Sequence, residues 1–234
     1  MANKRLNILQ ESLGFVEILK LLKEKYTYKE IAEKVHLAVP TLNRYAKGQV
    51  LPAANKTKEL LQVFRELFDL KEELKKRIDE TGDYTSIFTN PSLMKLIALD
   101  VYMHYQNNTI DKVFTAPIDG LPIATFIAHV FGASVAYTRF TREHPIEEYI
   151  EEAYRPAQSN RIQSFYLQKN IFKKNENVLI VDDMIKTSAT LNALVHLAKR
   201  CEVKIKGIFV VLSEDGGLRK IEDKNIPIYT LIEA

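Results

Sequence analysis

Asn177-Val178-Leu179-Ile180-Val181-Asp182-Asp183-Met184-Ile185-Lys186-Thr187-Ser188-Ala189-Thr190 joins an apolar run, two acids and a loop of small residues. Val178 to Val181 form a short, bounded apolar run and predict a strand buried on both faces. Two carboxylates, Asp182 and Asp183, stand at its C-terminal end. Lys186, Thr187, Ser188, Ala189 and Thr190 then form a loop of small and hydroxylated residues that opens a helix. This order suits a ribose 5-phosphate group. N–H groups of the loop and of the helix N-terminus bind a phosphate anion, and Thr187, Ser188 and Thr190 add hydroxyl donors. The acids would repel phosphate but accept hydrogen bonds from the two ribose hydroxyls. A metal-binding or helix-capping role for the Asp pair is the plainer alternative. Sites at the C-terminal ends of strands are the rule in open α/β sheets.

Outward from this stretch, strands are expected at 112–116, 134–138, 163–167, 177–182, 205–212 and 227–232. Helices are expected near 92–105, 121–131 and 188–200. Strand–helix alternation predicts an α/β domain with a mainly parallel sheet. Phe114 to Ala124 reads as a strand, a tight loop (Pro117, Ile118, Asp119, Gly120) and a helix start. Gly120 would let the backbone approach an anion closely; a plain strand-to-helix turn has the same outline. Residues 139–162 are charged, carry Arg139, Arg142, Arg155 and Arg161, and show no core pattern.

The 177–190 stretch resembles the phosphoribosyl-pyrophosphate loop of type I phosphoribosyltransferases, with Ser188 where the family usually has Gly. Residues 117–120 resemble that family's pyrophosphate loop, most of all in orotate phosphoribosyltransferases. The resemblance covers about 90–234, and it puts the family's flexible catalytic loop at 139–162. The orotate-type enzymes carry an arginine–lysine pair and a further lysine after the second strand. Here that stretch is Thr138-Arg139-Phe140-Thr141-Arg142-Glu143-His144, without lysine. Asp119 adds negative charge where pyrophosphate would sit.

The first 80 residues read as helices only. Expected are an apolar periodicity through Leu6, Leu9, Leu13, Val16 and Leu19, a helix at Tyr28–Val35, a helix at Pro40–Lys47 and a long helix from Ala53 to Glu80. Ala32 supplies the small residue two crossing helices need. Ile31, Val35, Leu37, Leu42 and Tyr45 supply the apolar weld. Val39 and Pro40 open the last helix, whose exposed face is expected to carry Thr41, Asn43, Arg44 and Lys47. Asn pairs with adenine, and Arg with guanine or phosphate. Packing or dimerisation by an amphipathic hairpin is the alternative use. The segment resembles the repressor-type helix-turn-helix domains of phage and bacterial regulators, with His36 where the turn usually has Gly.

Three parts are therefore expected: 1–80, an all-α helix-turn-helix DNA-binding domain with a long connecting helix; 81–90, a linker; and 91–234, a phosphoribosyltransferase-like ligand-sensing domain. Residues 1–80 carry a net charge of +4 and the rest −1, which fits a nucleic-acid-binding head but also ordinary solvated helix faces. The one cysteine, Cys201, excludes a disulfide within one chain and fits a reducing, cytoplasmic setting. The first residues lack the apolar run of a signal peptide, and no stretch is apolar enough to span a membrane. The combination resembles the purine-operon repressors of Gram-positive bacteria and, more, archaeal regulators joining a helix-turn-helix to a phosphoribosyltransferase-like domain. The resemblance implies a homodimeric regulator of transcription rather than an enzyme. Its partners would be double-stranded operator DNA and a phosphoribosyl effector. No cofactor is required, save Mg where the ligand carries pyrophosphate. The alternative is an active phosphoribosyltransferase with a regulatory head.

Overall fold

The computed structural model describes residues 12–233 apart from 17, 21, 24–25, 143–147, 157–160, 215 and 219. The expected periodicity through Leu6 and Leu9 lies outside the described residues. The chain divides into two compact units, Met1–Leu99 and Asp100–Ala234. Among the described residues, no helix is long and apolar enough to cross a membrane.

In the first unit, residues 12–16, 18–20 and 22–23 are helical, and Phe15, Leu19 and Leu22 are fully buried. Helix α1 (Tyr28–Lys34) starts at a reciprocal cap: Glu30 N–H donates to the Thr27 hydroxyl, and Thr27 N–H donates to the Glu30 carboxylate. A turn through His36, at φ 50°, leads to α2 (Val39–Ala46). Ile31, Ala32, Val35, Leu42 and Ala46 are buried, and Phe15 meets the Tyr45 ring edge-on at 5.9 Å.

The long helix expected over 53–80 is two helices, α3 (Ala54–Leu67) and α4 (Leu70–Thr81). The break falls at Asp69, whose backbone is extended (ψ 96°) and whose carboxylate accepts the Glu72 N–H at 3.0 Å. A cap that satisfies an orphan donor competes with helix propagation, and here it wins. Gly82, in the left-handed region at φ 66°, ends α4.

The expected linker at 81–90 holds this turn and a short helix, α5 (Thr85–Phe88). Helix α6 (Pro91–Tyr105) follows, its first N–H groups on Ser92 and Leu93 taken by the Asn90 side chain. The division between units falls inside α6, because the chain passes from one to the other without leaving the helix.

The second unit contains β1 (Lys112–Thr115), α7 (Gly120–Phe131), β2 (Ser134–Tyr137), β3 (Tyr149–Tyr154), β4 (Gln163–Gln168), β5 (Asn177–Ile185), α8 (Ala189–Arg200), β6 (Lys204–Ser213) and β7 (Ile228–Glu233). A five-stranded sheet has the order β2-β1-β5-β6-β7, with every neighbouring pair parallel. Val178 to Val181 are fully buried, as a central parallel strand covered on both faces requires.

The strand expected at 163–167 does not join this sheet. It is β4, paired antiparallel with β3. Strand β3 lies in the charged stretch read as loop, and its Glu151 and Glu152 hid it. Its side chains are only partly covered, so no apolar run marks it.

Candidate functional site

The sheet order fixes where a ligand crevice can form. The chain steps from β1 to β2 in one direction and from β5 through β6 to β7 in the other. The direction reverses between β1 and β5, a topological switch point. The loops leaving the C-terminal ends of these two strands are 116–119 and 186–188. They lead into α7 and α8, so two helix N-termini open beside the same crevice. Neither N-cap residue, Asp119 or Ser188, caps its helix with its side chain, so both first turns keep N–H groups for another acceptor.

Gly120 shows how closely the walls approach. A Cβ built there would lie 2.3 Å from Thr115 Oγ1 and 3.4 Å from Asp182 Oδ1. The start of α7 therefore lies against both the end of β1 and Asp182 on β5. The Pro117–Ile118 peptide is cis. Ile118 is 70% exposed, and Asp119 is exposed as well.

Asp182 and Asp183 are buried, at 5% and 7% exposure. The Asp183 N–H donates to Asp182 Oδ1 at 3.2 Å. Burial pushes the Asp182 carboxyl well above the ordinary carboxylate range; the charge of Asp183 adds to this, and that of Asp119 adds further. Burial raises Asp183 too, opposed by hydrogen bonds from Asp182 and the backbone. The pair thus sits desolvated among like charges, an arrangement that incoming hydroxyl donors would relieve. Tyr154, at the end of β3, is close enough for the Asp182 charge to add to the effect of burial in raising its phenol. Its hydroxyl donates to Gln163 Oε1 at 3.1 Å.

The second loop departs from the sequence reading at Ser188. That side chain is 3% exposed, and its hydroxyl donates to the Gly217 carbonyl at 2.7 Å. A hydroxyl has one proton to give, so Ser188 has only its backbone N–H for an anion. Thr187 is exposed and Ala189 and Thr190 are half-buried. Lys186 reaches Glu214 at 3.6 Å.

Glu214 and Gly217 went unnoticed in the sequence, although Gly216-Gly217 marks a place where backbones approach. A Cβ on Gly217 would lie 2.9 Å from the Ile185 carbonyl oxygen, and Glu214 N–H donates to that oxygen. Glu214 and Gly217 are thus seated against the end of β5 and the loop that follows it.

Of the arginines in 139–162, Arg142 pairs with Glu151 at 2.9 Å, and Arg139 lies over the Tyr137 ring. Arg155 and Arg161 flank residues outside the described set. Among the described residues, no three His, Cys, Asp or Glu side chains are grouped to hold a metal ion. In the first unit, Val39, Pro40, Arg44 and Lys47 are exposed on and just after α2, while Thr41 and Asn43 are half-buried.

The model of the phosphoribosyl transferase domain matches residues 83–233. The purine biosynthesis transcriptional repressor PurR of Bacillus subtilis is 27% identical over 147 residues, which are 63% of this chain and 52% of that protein. A hypoxanthine/guanine phosphoribosyltransferase of Methanotorris igneus is 29% identical over 149 residues, 62% of this chain and 76% of that protein. The chain spans about half the length of the first curated relatives it matches. Among solved structures, the Giardia lamblia APRTase in complex with 9-deazaadenine aligns with a TM-score of 0.60 at 21% identity. That match covers 65% of this chain and 85% of that one, and it shows the shared fold.

Proposed function

From the premise that this chain belongs to the phosphoribosyl transferase domain family, with a type I fold, we propose that it is a DNA-binding transcriptional regulator controlled by a phosphoribosyl ligand. The observation that carries the reading is the pairing, in one chain, of two elements. One is α1–turn–α2, with Arg44 and Lys47 exposed on its second helix and just beyond it. The other is a crevice lined by a buried acid pair and two uncapped helix ends. The Bacillus subtilis repressor and a probable purine biosynthesis transcriptional regulator of Streptococcus pneumoniae, 25% identical over 151 residues, support it.

In this reading, residues 1–80 form the helix-turn-helix domain with its connecting helix, 81–90 link it onward, and 91–234 sense the ligand. Asp182 and Asp183 accept the ribose hydroxyls. Lys186 to Thr190 wrap a 5′-phosphate, and Pro117 to Gly120 border a pyrophosphate. No cofactor is needed. A pyrophosphate-bearing ligand brings Mg with it, held by the acids through water. Val39, Pro40, Thr41, Asn43, Arg44 and Lys47 face operator DNA. Two chains pair through their α/β domains in the cytoplasm, setting two recognition helices about one DNA turn (~34 Å) apart. The ligand switches operator binding only through different affinities for two dimer geometries.

Operator footprinting tests the DNA half. Arg44→Ala and Asn43→Ala should each relax sequence preference, and unchanged affinity in both would remove α2 as the reader. The enzyme relatives favour a second reading, an active phosphoribosyltransferase. The absence of lysine from Thr138 to His144 weighs against it. The test is incubation with phosphoribosyl pyrophosphate and orotate, uracil, adenine, guanine, hypoxanthine or xanthine. Enzyme-like turnover of any one, abolished by Asp183→Asn, would replace the regulator reading.

A further inference from the structure

Helix α8 carries a histidine that the crevice does not use. His196 Nδ1 lies 2.9 Å from Glu152 Oε1 on β3, and Nε2 lies 2.8 Å from Glu222 Oε2 in the segment between β6 and β7. A neutral imidazole has one N–H and one lone pair; only the imidazolium donates from both nitrogens. Two carboxylates at hydrogen-bond distance on opposite sides of one ring therefore require the charged form.

The two segments that His196 joins both border the crevice. Strand β3 ends at Tyr154, beside Asp182. The segment that contains Glu222 begins with Glu214 and Gly217, which hold Lys186 and Ser188. We propose that His196 is a proton-operated latch: charged, it ties residues 220–222 to strand β3; neutral, it lets go of Glu222 and loosens the seat of the phosphate loop.

The side that releases follows from the surrounding charges. Glu152 is well covered, and its other oxygen also accepts from Arg200 Nη1 at 3.2 Å; Arg200 further holds the Glu151 carbonyl. A neutral His196 keeps its one proton on Nδ1 for this fixed partner. Its Nε2 lone pair then faces Glu222, which is 63% exposed and free to turn to water. Lys199 to Asp223 at 2.7 Å, and Asn192 to the Lys220 carbonyl and the Glu222 N–H, keep the segment attached. The movement is thus a loosening rather than an unfolding.

The hydrogen bonds to Glu152 and then Glu222 hold the imidazole above its usual value of about 6.5, against partial burial. A group whose folded pKa is raised stabilises fully below its unfolded pKa, and that contribution is lost as pH rises through the folded one. The latch is fully closed below the ordinary imidazole value of about 6.5 and opens as pH rises through the raised folded value. Its effect on ligand affinity rests on the reading of the crevice given above.

The full chain has no tryptophan, so Lys220→Trp gives a single tryptophan, excited selectively over tyrosine at the red edge, beside Glu222. Nitrogen-15 histidine spectra of the full chain should show His196 protonated on both nitrogens, with a midpoint above 6.5 that Glu222→Gln lowers. The Lys220→Trp emission should change over the same interval and stay flat when His196→Gln is added. A midpoint at or below 6.5, or an emission change that survives His196→Gln, overturns the latch.

Ribose 5-phosphate is then titrated at pH 6 and pH 8.5. The ratio of affinities should differ at least twofold between wild type and His196→Gln, each compared with itself so that phosphate ionisation cancels. Equal ratios overturn the link to the crevice and leave the ligand reading standing. No binding at either pH overturns the ligand reading, while the spectra still decide the latch.

Discussion

The acid-bearing strand end with its loop, at 182–190, and the helix α2 at 39–46 serve the proposed function by opposite physical means. The loop is built from burial. Four fully buried strand residues, a glycine with no room for a side chain and two carboxylates out of water fix its shape, and the site exists only where the sheet places it. Helix α2 is built from exposure: Leu42 and Ala46 anchor it, and Arg44 and Lys47 remain in solvent. The difference implies different responses to mutation. Changes at the acids and at Gly120 should move stability and binding together, though not always in the same direction. Changes on α2 should move binding alone.

The largest effect is expected at the acids. Asp182→Asn and Asp183→Asn should each weaken a ribose 5-phosphate ligand ~10–100-fold by titration calorimetry, the worth of a hydrogen bond to a charged group. Both folded pKa values are raised, so between the ordinary carboxylate range and the raised value the native state holds more protons than the unfolded one. Stability of the ligand-free protein therefore falls as pH rises through that window. Asp182→Asn should flatten this slope and raise the melting temperature at neutral pH. A lowered melting temperature together with intact binding would mean that the acids serve the fold and not the ligand.

Gly120→Ala comes next. With Thr115 Oγ1 2.3 Å from the new Cβ, overpacking should cost ~1–3 kcal/mol in denaturant unfolding and weaken the ligand as well. Arg44→Ala should weaken operator binding roughly tenfold, with the urea midpoint unchanged; a shifted midpoint would mean that α2 is a packing element. The smallest effect is expected for Ser188→Ala, which loses the bond to the Gly217 carbonyl. The cost should be ~1 kcal/mol in stability, with ligand affinity nearly kept, because its N–H remains. A large loss of affinity with unchanged stability would return the hydroxyl to the phosphate.

The same contrast explains what could be read in advance. Residues 177–190 were legible because several local signals coincide there: an apolar run, paired acids, then small residues. Strands β1, β2, β6 and β7 were legible as apolar runs. Strand β3 was not, since it packs as half of a hairpin and Glu151 and Glu152 face polar partners rather than a core. The break at Asp69 was missed because helical periodicity continues across it and only the extended backbone reveals the cap. The bond from the Ser188 hydroxyl to Gly217 is not legible, because its partner lies 29 residues away and leaves no local trace.

The raised carboxyl groups also turn occupancy of the crevice into an acid–base event. Any ligand whose hydroxyls donate to Asp182 and Asp183 favours their ionised forms, so protons held by the empty site must leave as it enters. Heats of binding measured at one pH in buffers of different ionisation enthalpy should then differ in proportion. The slope of that plot counts the protons released. Asp182→Asn should reduce the count wherever residual binding can be measured.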